Sequence, residues 1–284
     1  MISDTANCYE LSNGVKIPTV GFGTWQAAEG ESTVDAVKTA LDTGYRHIDT
    51  AAVYKNEESV GRGVKKSGLA RNDVFVASKV WNSEHGYETT LKAFETSLQK
   101  LQMDYLDLYL IHWPNPKIFR DCWEQKNAET WQAMEELYAA GKIRAIGISN
   151  FMPHHIEALL KTAKIMPMVN QIKLCPGETQ DATVKLCKEK GILVEAYSPL
   201  GTGKIFDVPE MRELSEKYQR TVAQLCIRWS LQNGWLPLPK SVTEERIKEN
   251  FRVFDFIIEQ EDMDRIAALK NCCGETPDPD STPF

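Results

Sequence analysis

The sequence contains no apolar run close to the roughly 18 residues that a helix needs to span a bilayer. Its first residues, MISDTANCYEL, have neither a basic start nor an apolar stretch, so a secretory signal peptide is not expected. We therefore expect no membrane partner.

Cysteine is too sparse to build a disulfide framework. The seven cysteines are an odd number, they form no C-x-x-C pair, and they are spread over a chain too long to need covalent staples. They are Cys8, Cys122, Cys175, Cys187, Cys226, Cys272 and Cys273. This pattern predicts reduced thiols in a cytoplasmic protein.

An excess of positive charge is also missing. The 40 acidic and 33 basic side chains give a net charge of -7. This balance disfavours nucleic acids and anionic membrane surfaces as partners. Any anionic ligand must therefore be bound by a local basic pocket.

Glycine-rich phosphate motifs and metal-ligand spacings are absent as well. Gly21-Phe22-Gly23 continues as TWQ and offers no third glycine for a dinucleotide fingerprint. The segment 201–204 (GTGK) lacks the first glycine of a phosphate loop and the Ser or Thr after its lysine. His154 and His155 begin a helix without a third ligand at suitable spacing, so no metal site is expected.

What the sequence does contain is a regular alternation of strand-like and helix-like segments. Eight short apolar runs recur: Thr19-Phe22, Tyr45-Ile48, Val74-Lys79, Leu106-His112, Ala145-Ser149, Met168-Ile172, Leu193-Tyr197 and Leu236-Pro239. Helical spacing lies between them, as in 34–41, 90–101, 128–140, 156–163 and 182–190. Because parallel strands need crossovers and closure removes exposed edges, these units predict an α/β fold, the (β/α)8 TIM barrel.

The whole chain, residues 1–284, is expected to form a single domain, because such barrels commonly reach about 250 residues. Asn13-Gly14, within the segment from Cys8 to Pro18, is a hairpin turn signal, and this β-hairpin is expected to close the barrel floor. Residues 275–284, rich in proline and aspartate, are expected to form a polar C-terminal tail on the surface.

Four side chains at the predicted strand ends suggest an acid site, since barrel enzymes carry their chemistry there. Tyr54 is a phenol, and a neighbouring ammonium from Lys79 would lower its pKa by stabilising the phenolate. Lys79 needs a buried counter-ion in turn, and Asp49 can provide it. His112 could donate a hydrogen bond to a substrate oxygen.

Each of these residues also has a plain structural interpretation. Asp49 and Lys79 could form only a structural ion pair, and Tyr54 could be a half-buried loop aromatic. The run from Ser241 to Glu244 (SVTE) reads equally as a helix capping box, and Arg246 as a solvated helix residue. The functional interpretation is favoured because the coincidences fall at eight strand ends.

The motifs resemble those of the aldo-keto reductases from one end of the chain to the other. The matching segments, in order, are GFGTW, GYRHIDTAAVYKNE, VFVASKVW, YLDLYLIHWP, IRAIGISNF, VNQI, VEAYSPLG and PKSVTEERIKEN. Segment lengths are most similar to those of the compact bacterial members, the diketogluconate, methylglyoxal and prostaglandin-F-synthase-type reductases. The resemblance implies that Tyr54 donates the proton, Lys79 and Asp49 tune it, and His112 orients the substrate.

The resemblance also implies a cofactor, NADPH/NADP+, lying across the barrel mouth. The residues that would bind it are Thr24, Trp25, Asp49, Ser149, Asn150, Gln171, Tyr197, Ser198, Leu200, Gly201, Lys240, Ser241, Val242, Thr243, Arg246, Glu249 and Asn250. Tyr197 would stack on the nicotinamide. Lys240 and Arg246, near a helix start, would meet a 2'-phosphate and favour NADPH over NADH. Lys173 and Cys175 depart from the family pattern beside the carboxamide site.

An aromatic substrate pocket is implied as well. Its walls would be Trp25, Tyr54, Trp81, His112 and Trp113, a lining that suits the carbonyl of an aldehyde, ketone or sugar. The expected function is hydride transfer from NADPH to that carbonyl, with Tyr54 as the proton donor, by a monomeric enzyme. Two alternatives are an NADPH-binding redox-sensing subunit with little turnover and a phosphosugar barrel enzyme, although the latter would need a glycine-rich phosphate loop.

Overall fold

The computed structural model describes residues 8–270 and 272–284. The strands in this part of the chain are β1 (Cys8–Glu10), β2 (Lys16–Pro18), β3 (Phe22–Gly23), β4 (His47–Asp49), β5 (Phe75–Val80), β6 (Leu106–Ile111), β7 (Ile143–Ser149), β8 (Val169–Lys173), β9 (Leu193–Tyr197) and β10 (Leu236–Leu238). The α-helices are α1 (Glu31–Thr43), α2 (Glu57–Lys66), α3 (Tyr87–Leu101), α4 (Trp123–Ala139), α5 (Pro153–Leu160), α6 (Asp181–Lys190), α7 (Pro209–Tyr218), α8 (Val222–Gln232), α9 (Glu244–Phe251) and α10 (Gln260–Ala267).

Strands β3 to β10 form one parallel sheet in which the strand order follows the chain. Its two edges meet, because the N–H groups of Gly21 and Gly23 donate to the carbonyls of Pro237 and Pro239 at 3.1 and 3.0 Å. Every residue of β5 and β6 is buried, as expected for parallel strands covered on both faces. The predicted (β/α)8 barrel is confirmed.

The hairpin of β1 and β2 lies under the barrel. Gly14 has a φ of 82°, which suits its tight turn. The Tyr9 hydroxyl donates to the carbonyl of Trp235 at 3.4 Å, and the Asn13 amide donates to the carbonyl of Arg144 at 2.9 Å. Trp235 immediately precedes β10 and Arg144 is the second residue of β7, so the hairpin covers the amino ends of the strands. This confirms that it closes the floor.

Some element boundaries differ from the prediction. The first barrel strand is Phe22–Gly23 rather than Thr19–Phe22. Helix α2 is not among the segments whose spacing predicts a helix, since Gly61 and Gly63 lower the helix propensity of this short run. Packing explains Gly61: a Cβ there would lie 2.2 Å from the carbonyl oxygen of Leu101.

Residues 275–284 form a loop that crosses the carboxyl ends of the strands and is tied to the barrel along its length. At its start, Lys173 Nζ on β8 donates to the carbonyls of Cys273 and Glu275 at 3.1 and 2.9 Å. At its end, the carbonyl of Phe284 accepts from the Lys117 N–H at 3.0 Å. The tail therefore lies over the barrel mouth.

Within the described residues, none of the helices combines the length and the apolar character that crossing a bilayer requires.

Candidate active site

A buried ion pair lies at the carboxyl ends of β4 and β5. Lys79 Nζ lies 2.6 Å from Asp49 Oδ1 and also donates to the carbonyl of Thr50 at 2.9 Å. The Lys79 side chain is fully buried, and that of Asp49 is nearly so. The two residues occupy neighbouring strands, so the predicted pairing follows from the strand order. Because a buried ammonium without a counter-ion would cost several kcal/mol, the two charges depend on each other.

Tyr54 meets this pair across the loop that follows β4. Its hydroxyl is 3.5 Å from Lys79 Nζ, at the edge of hydrogen-bonding distance, and the ammonium lies 5.1 Å from the ring centroid. Burial and the negative charge of Asp49 raise the pKa of Tyr54 well above its usual value. The lowering expected from Lys79 is therefore not found, because burial, reinforced by the charge of Asp49, determines the direction of the shift in the Tyr54 pKa. The phenol keeps its proton, which is the state a proton donor needs.

His112 completes the group at the end of β6. Burial and the positive charge of Lys79 lower the pKa of His112 well below its usual value, so the ring is neutral. Its Nδ1 is buried and has no hydrogen-bond partner among the described residues, which leaves Nε2 as the nitrogen that can meet a ligand. The ring lies edge-to-face with Tyr54 and Trp81, at centroid distances of 5.7 and 5.2 Å. A neutral imidazole can donate one hydrogen bond to a substrate oxygen.

Trp81 and Trp113, two of the aromatic residues expected in the substrate pocket, share a third aromatic neighbour that the sequence does not predict. Phe284, the last residue, lies 5.9 Å from the Trp81 ring and 5.1 Å from the Trp113 ring. Trp25, two residues after the end of β3, is 46% exposed. No pattern in a proline- and aspartate-rich tail indicates where its final residue will lie, so the sequence analysis missed Phe284.

The residues expected to hold a carboxamide are joined by hydrogen bonds. Ser149 Oγ donates to the carbonyl of Gln171 at 2.8 Å, and the Asn150 amide donates to Ser149 Oγ at 3.1 Å. The Tyr197 hydroxyl donates to Asn150 Oδ1 at 2.8 Å. Asn150 has a φ of 62°, a left-handed conformation that asparagine tolerates better than most residues. Three neighbouring strands, β7, β8 and β9, thus contribute to one polar wall of the mouth.

Gln171 also reaches into the barrel. Its Nε2 donates to Asp49 Oδ1 at 2.8 Å and to Glu195 Oε2 at 2.9 Å. The sequence analysis missed Glu195, which is fully buried on β9. The available signal was an acidic residue in the middle of an otherwise apolar strand, because a buried carboxyl is rare unless it has a partner.

The second group of predicted cofactor residues surrounds the start of α9. The capping-box alternative is wrong: α9 begins at Glu244 after Thr243, and Ser241 Oγ instead accepts from the Thr243 N–H at 3.0 Å. Val242 and Arg246 are exposed, and Arg246 makes no ion pair within the described residues. No side chain caps the start of α9, so its first backbone N–H groups are free. Together with the nearby Arg246 cation, they can bind an anion.

The other predicted cofactor residues lie near the ends of β3, β9 and β10 and within α9. The Thr24 hydroxyl donates to the carbonyl of Asp49 at 2.9 Å. Ser198 and Gly201 have φ values of 50° and 52° in the turn that follows β9. Lys240 is half-buried and Asn250 is buried, whereas Glu249 accepts from the Thr221 hydroxyl at 2.8 Å. Leu200 packs against the core.

Asp280 in the tail lies beside His154 and His155, where the sequence indicated no third metal ligand. Its carboxylate is 3.1 Å from His154 Nε2 and 2.9 Å from His155 Nε2. His155 Nδ1 accepts from the Met152 N–H at 3.2 Å, so the proton of the neutral ring sits on Nε2 and points at Asp280. This is the geometry of a hydrogen bond that holds the tail.

The residues described above define a class of protein, a barrel enzyme with a phenol, an ammonium and an imidazole around an aromatic cleft. The family model described as the Aldo/keto reductase family matches residues 19–271. The chain belongs to this family, and its class of reaction is carbonyl reduction.

Relatives support this assignment over almost the whole chain. The chain is 50% identical to the glyoxal reductase of Bacillus subtilis (strain 168) over 275 residues, which cover 97% of each protein. It is 41% identical to the methylglyoxal reductase DkgA of Escherichia coli (strain K12), over 95% of this chain and 96% of that protein. The crystal structure of a Bombyx mori aldo-keto reductase in complex with NADP matches with a TM-score of 0.84 at 36% identity, covering 93% of each chain.

Proposed function

We propose that this protein is an NADPH-dependent reductase in which Tyr54 protonates the carbonyl oxygen of the substrate. The observation that carries the proposal is the position of Lys79 Nζ, which reaches both Asp49 at 2.6 Å and the Tyr54 hydroxyl at 3.5 Å. When NADPH is bound, it supplies the hydride that the carbonyl carbon accepts. The residues of the chain then have to supply one proton and hold the oxygen.

The side chains meet these requirements in sequence. Tyr54 carries its proton before the reaction, because burial and Asp49 raise its pKa. As negative charge develops on the substrate oxygen, the phenol gives up that proton, and the adjacent Lys79 ammonium stabilises the phenolate that remains. The neutral His112 ring donates a hydrogen bond to the same oxygen. The phenolate regains its proton from solvent before the next turnover.

The polar groups at the barrel mouth match those that NADPH would need. Gln171 directs its amide N–H groups inward to Asp49 and Glu195, which leaves its carbonyl oxygen as the acceptor for a carboxamide N–H. Arg246 and the start of α9 provide a cation and free backbone N–H groups, the pair of features that binds a phosphate.

The substrate class we propose is small aldehydes, including α-dicarbonyl compounds such as glyoxal and methylglyoxal. The relatives named for these substrates are 50% and 41% identical to this chain. The aromatic walls from Trp81, Trp113 and Phe284 support a narrow cleft for a small, weakly polar molecule. We also propose a cytoplasmic monomer; the free state of all seven cysteines supports a reducing compartment, and size-exclusion chromatography tests the oligomeric state.

The variant Tyr54→Phe tests the proton donor. We expect turnover with methylglyoxal to fall by at least about 100-fold, since general acid catalysis contributes this much, while NADPH binding measured by fluorescence titration stays within about twofold. Tyr87→Phe, which removes a half-buried phenol hydroxyl that donates to Glu136, is the matched control and should behave as wild type. Wild-type turnover by Tyr54→Phe would refute the assignment. NADPH binding by wild-type protein without turnover of any aldehyde or ketone would instead favour a redox-sensing subunit.

A further inference from the structure

The barrel interior below the acid site contains a second carboxyl group that the proposed reaction does not use. Glu195 lies on β9 with no exposed surface. It is paired in register with Gln171 on β8 and with Leu236 on β10. The apolar strand β10 offers it no charge, so its polar surroundings come from β4, β5 and β8.

Glu195 is connected to the acid site through a single amide. Gln171 Nε2 donates to Glu195 Oε2 at 2.9 Å and to Asp49 Oδ1 at 2.8 Å. Asp49 is in turn 2.6 Å from Lys79 Nζ. The other oxygen, Glu195 Oε1, is buried and 3.7 Å from His47 Nε2, and neither atom has a hydrogen-bond partner among the described residues.

If Asp49 and Glu195 were both ionised, the single ammonium of Lys79 would face two buried carboxylates. Lys79 is the ammonium, and Asp49 lies against it. Burial and Lys79 lower the pKa of His47 to about 3, so His47 is neutral and cannot neutralise Glu195. An unpaired carboxylate in a dry interior is strongly unfavourable, and such a group retains its proton instead. Burial, reinforced by the charge of Asp49, raises the pKa of Glu195 to about 8.

We propose that Glu195 is a positioning residue that works as a neutral carboxylic acid, holding Gln171 with its amide N–H groups toward Asp49 and its carbonyl oxygen toward the barrel mouth. Protonated, it accepts one hydrogen bond from Gln171 and directs its own O–H toward the lone pair of His47. Asp49 then remains the sole negative charge facing Lys79. The part of this role that concerns the carboxamide rests on the proposed function.

Ionisation of Glu195 above its pKa breaks this arrangement. A second carboxylate then competes with Asp49 for Gln171 and for the ammonium of Lys79. The groups facing Glu195 that could complicate its titration are His47, Asp49 and Lys79. Tyr54 and Tyr197 stay protonated through this range, because burial raises the pKa of both phenols. We therefore expect NADPH affinity and turnover to fall as the pH rises through about 8, and we assign this fall to the ionisation of Glu195.

The first test needs no enzyme activity. Infrared difference spectra of wild type against Glu195→Gln at pH 7 should show the C=O stretch of a protonated carboxylic acid in wild type only, and that band should disappear as the pH passes about 8. Asp107→Asn is the control, since Asp107 is a buried carboxyl that ion-pairs with Arg71 and Arg144 and should contribute no such band. Absence of the band from wild type would overturn the neutral state of Glu195.

The second test separates positioning from structure. Glu195→Gln keeps a neutral acceptor, so we expect near wild-type kcat and NADPH affinity at pH 7 and no loss of either between pH 7 and 9. Glu195→Leu removes the acceptor, and KM for NADPH should rise about fivefold, the typical worth of one hydrogen bond, with a smaller change in kcat. An alkaline limb that persists in Glu195→Gln would overturn the proposal. If Glu195→Leu fails to fold, the spectra and the Glu195→Gln pH profile decide.

Failure of the proposed function would look different. Wild-type protein that shows the infrared band and binds NADPH more weakly above pH 8, but reduces no carbonyl compound, would reject the reductase activity and leave the role of Glu195 intact.

Discussion

At the scale of single residues, the ammonium of Lys79 interacts with two neighbours, Asp49 and Tyr54, in different ways. Asp49 has the ammonium as its counter-ion throughout, whereas Tyr54 is stabilised by the ammonium only as the phenolate forms. Lys79→Met should lower the free energy of unfolding by about 3–5 kcal/mol, because it leaves a buried carboxylate unpaired, and should reduce turnover by at least about 100-fold. Urea denaturation and steady-state assays measure the two effects separately.

The double variant Lys79→Met with Asp49→Leu distinguishes chemistry from structure. Removing both charges eliminates the unpaired carboxylate, so most of the lost stability should return. Turnover should not return, because the phenolate of Tyr54 still lacks its ammonium. Recovery of turnover would contradict the assignment and support the purely structural ion pair.

The residue types of the acid site could be predicted from the sequence, but their electrostatics could not. Asp49, Tyr54, Lys79 and His112 follow strands whose order is set by the chain, so their convergence follows from the barrel. The direction of the Tyr54 pKa depends instead on burial and on how closely Asp49 shields the ammonium. These are distances between side chains that no spacing in the sequence encodes.

At the scale of structural elements, the start of α9 carries the predicted cofactor preference. Arg246→Ala should weaken NADPH binding about tenfold, since hydrogen bonds to charged groups contribute about 1.5–3 kcal/mol, and leave NADH binding unchanged. Lys248→Ala, on the same helix but ion-paired with Glu244, is the control and should change neither affinity. Equal losses for both cofactors on fluorescence titration would remove the phosphate role of Arg246.

The C-terminal tail is the second element whose contribution can be tested. Phe284→Ala removes the ring that packs on Trp81 and Trp113, so KM for small aldehydes should rise severalfold while NADPH affinity stays unchanged. Phe206→Ala is a matched control, because Phe206 is 41% exposed and Phe284 is 40% exposed. Identical kinetics for the two variants would exclude Phe284 from the substrate cleft.

Regular elements could be predicted better than irregular ones. The strands β5, β6 and β9 match their predicted runs within a residue, because long buried strands have an unambiguous apolar pattern. The course of residues 275–284 could not be predicted, since it depends on single contacts such as Lys173 to the carbonyl of Cys273 and Asp280 to His155. Such contacts join residues that are far apart in the sequence and have no periodic signature.

At the scale of the whole molecule, buried titratable groups determine how stability depends on pH. Burial lowers the pKa of His47 and His85 to about 3 each, so between about pH 3 and 6.5 the unfolded chain binds more protons at these sites. The stability that the neutral histidines contribute therefore rises with pH and levels off about one pH unit above 6.5. Glu195 acts in the opposite direction, because burial and Asp49 raise its pKa to about 8, above the unfolded value of about 4.3.

From pH 6.5 to 8 the contribution of Glu195 is isolated by comparing wild type with Glu195→Gln, because the histidines and cysteines titrate in the same way in both proteins. The folded protein keeps this proton up to about pH 8 while the unfolded chain has lost it, so from pH 6.5 to 8 the free energy of unfolding of wild type should fall by about 2 kcal/mol relative to that of Glu195→Gln. Glu195→Gln should lack this contribution to the slope, and Asp107→Asn, despite its own cost in stability, should retain it. Urea denaturation at the two pH values measures the slopes, and a wild-type slope equal to that of Glu195→Gln would show that Glu195 is already ionised at pH 6.5.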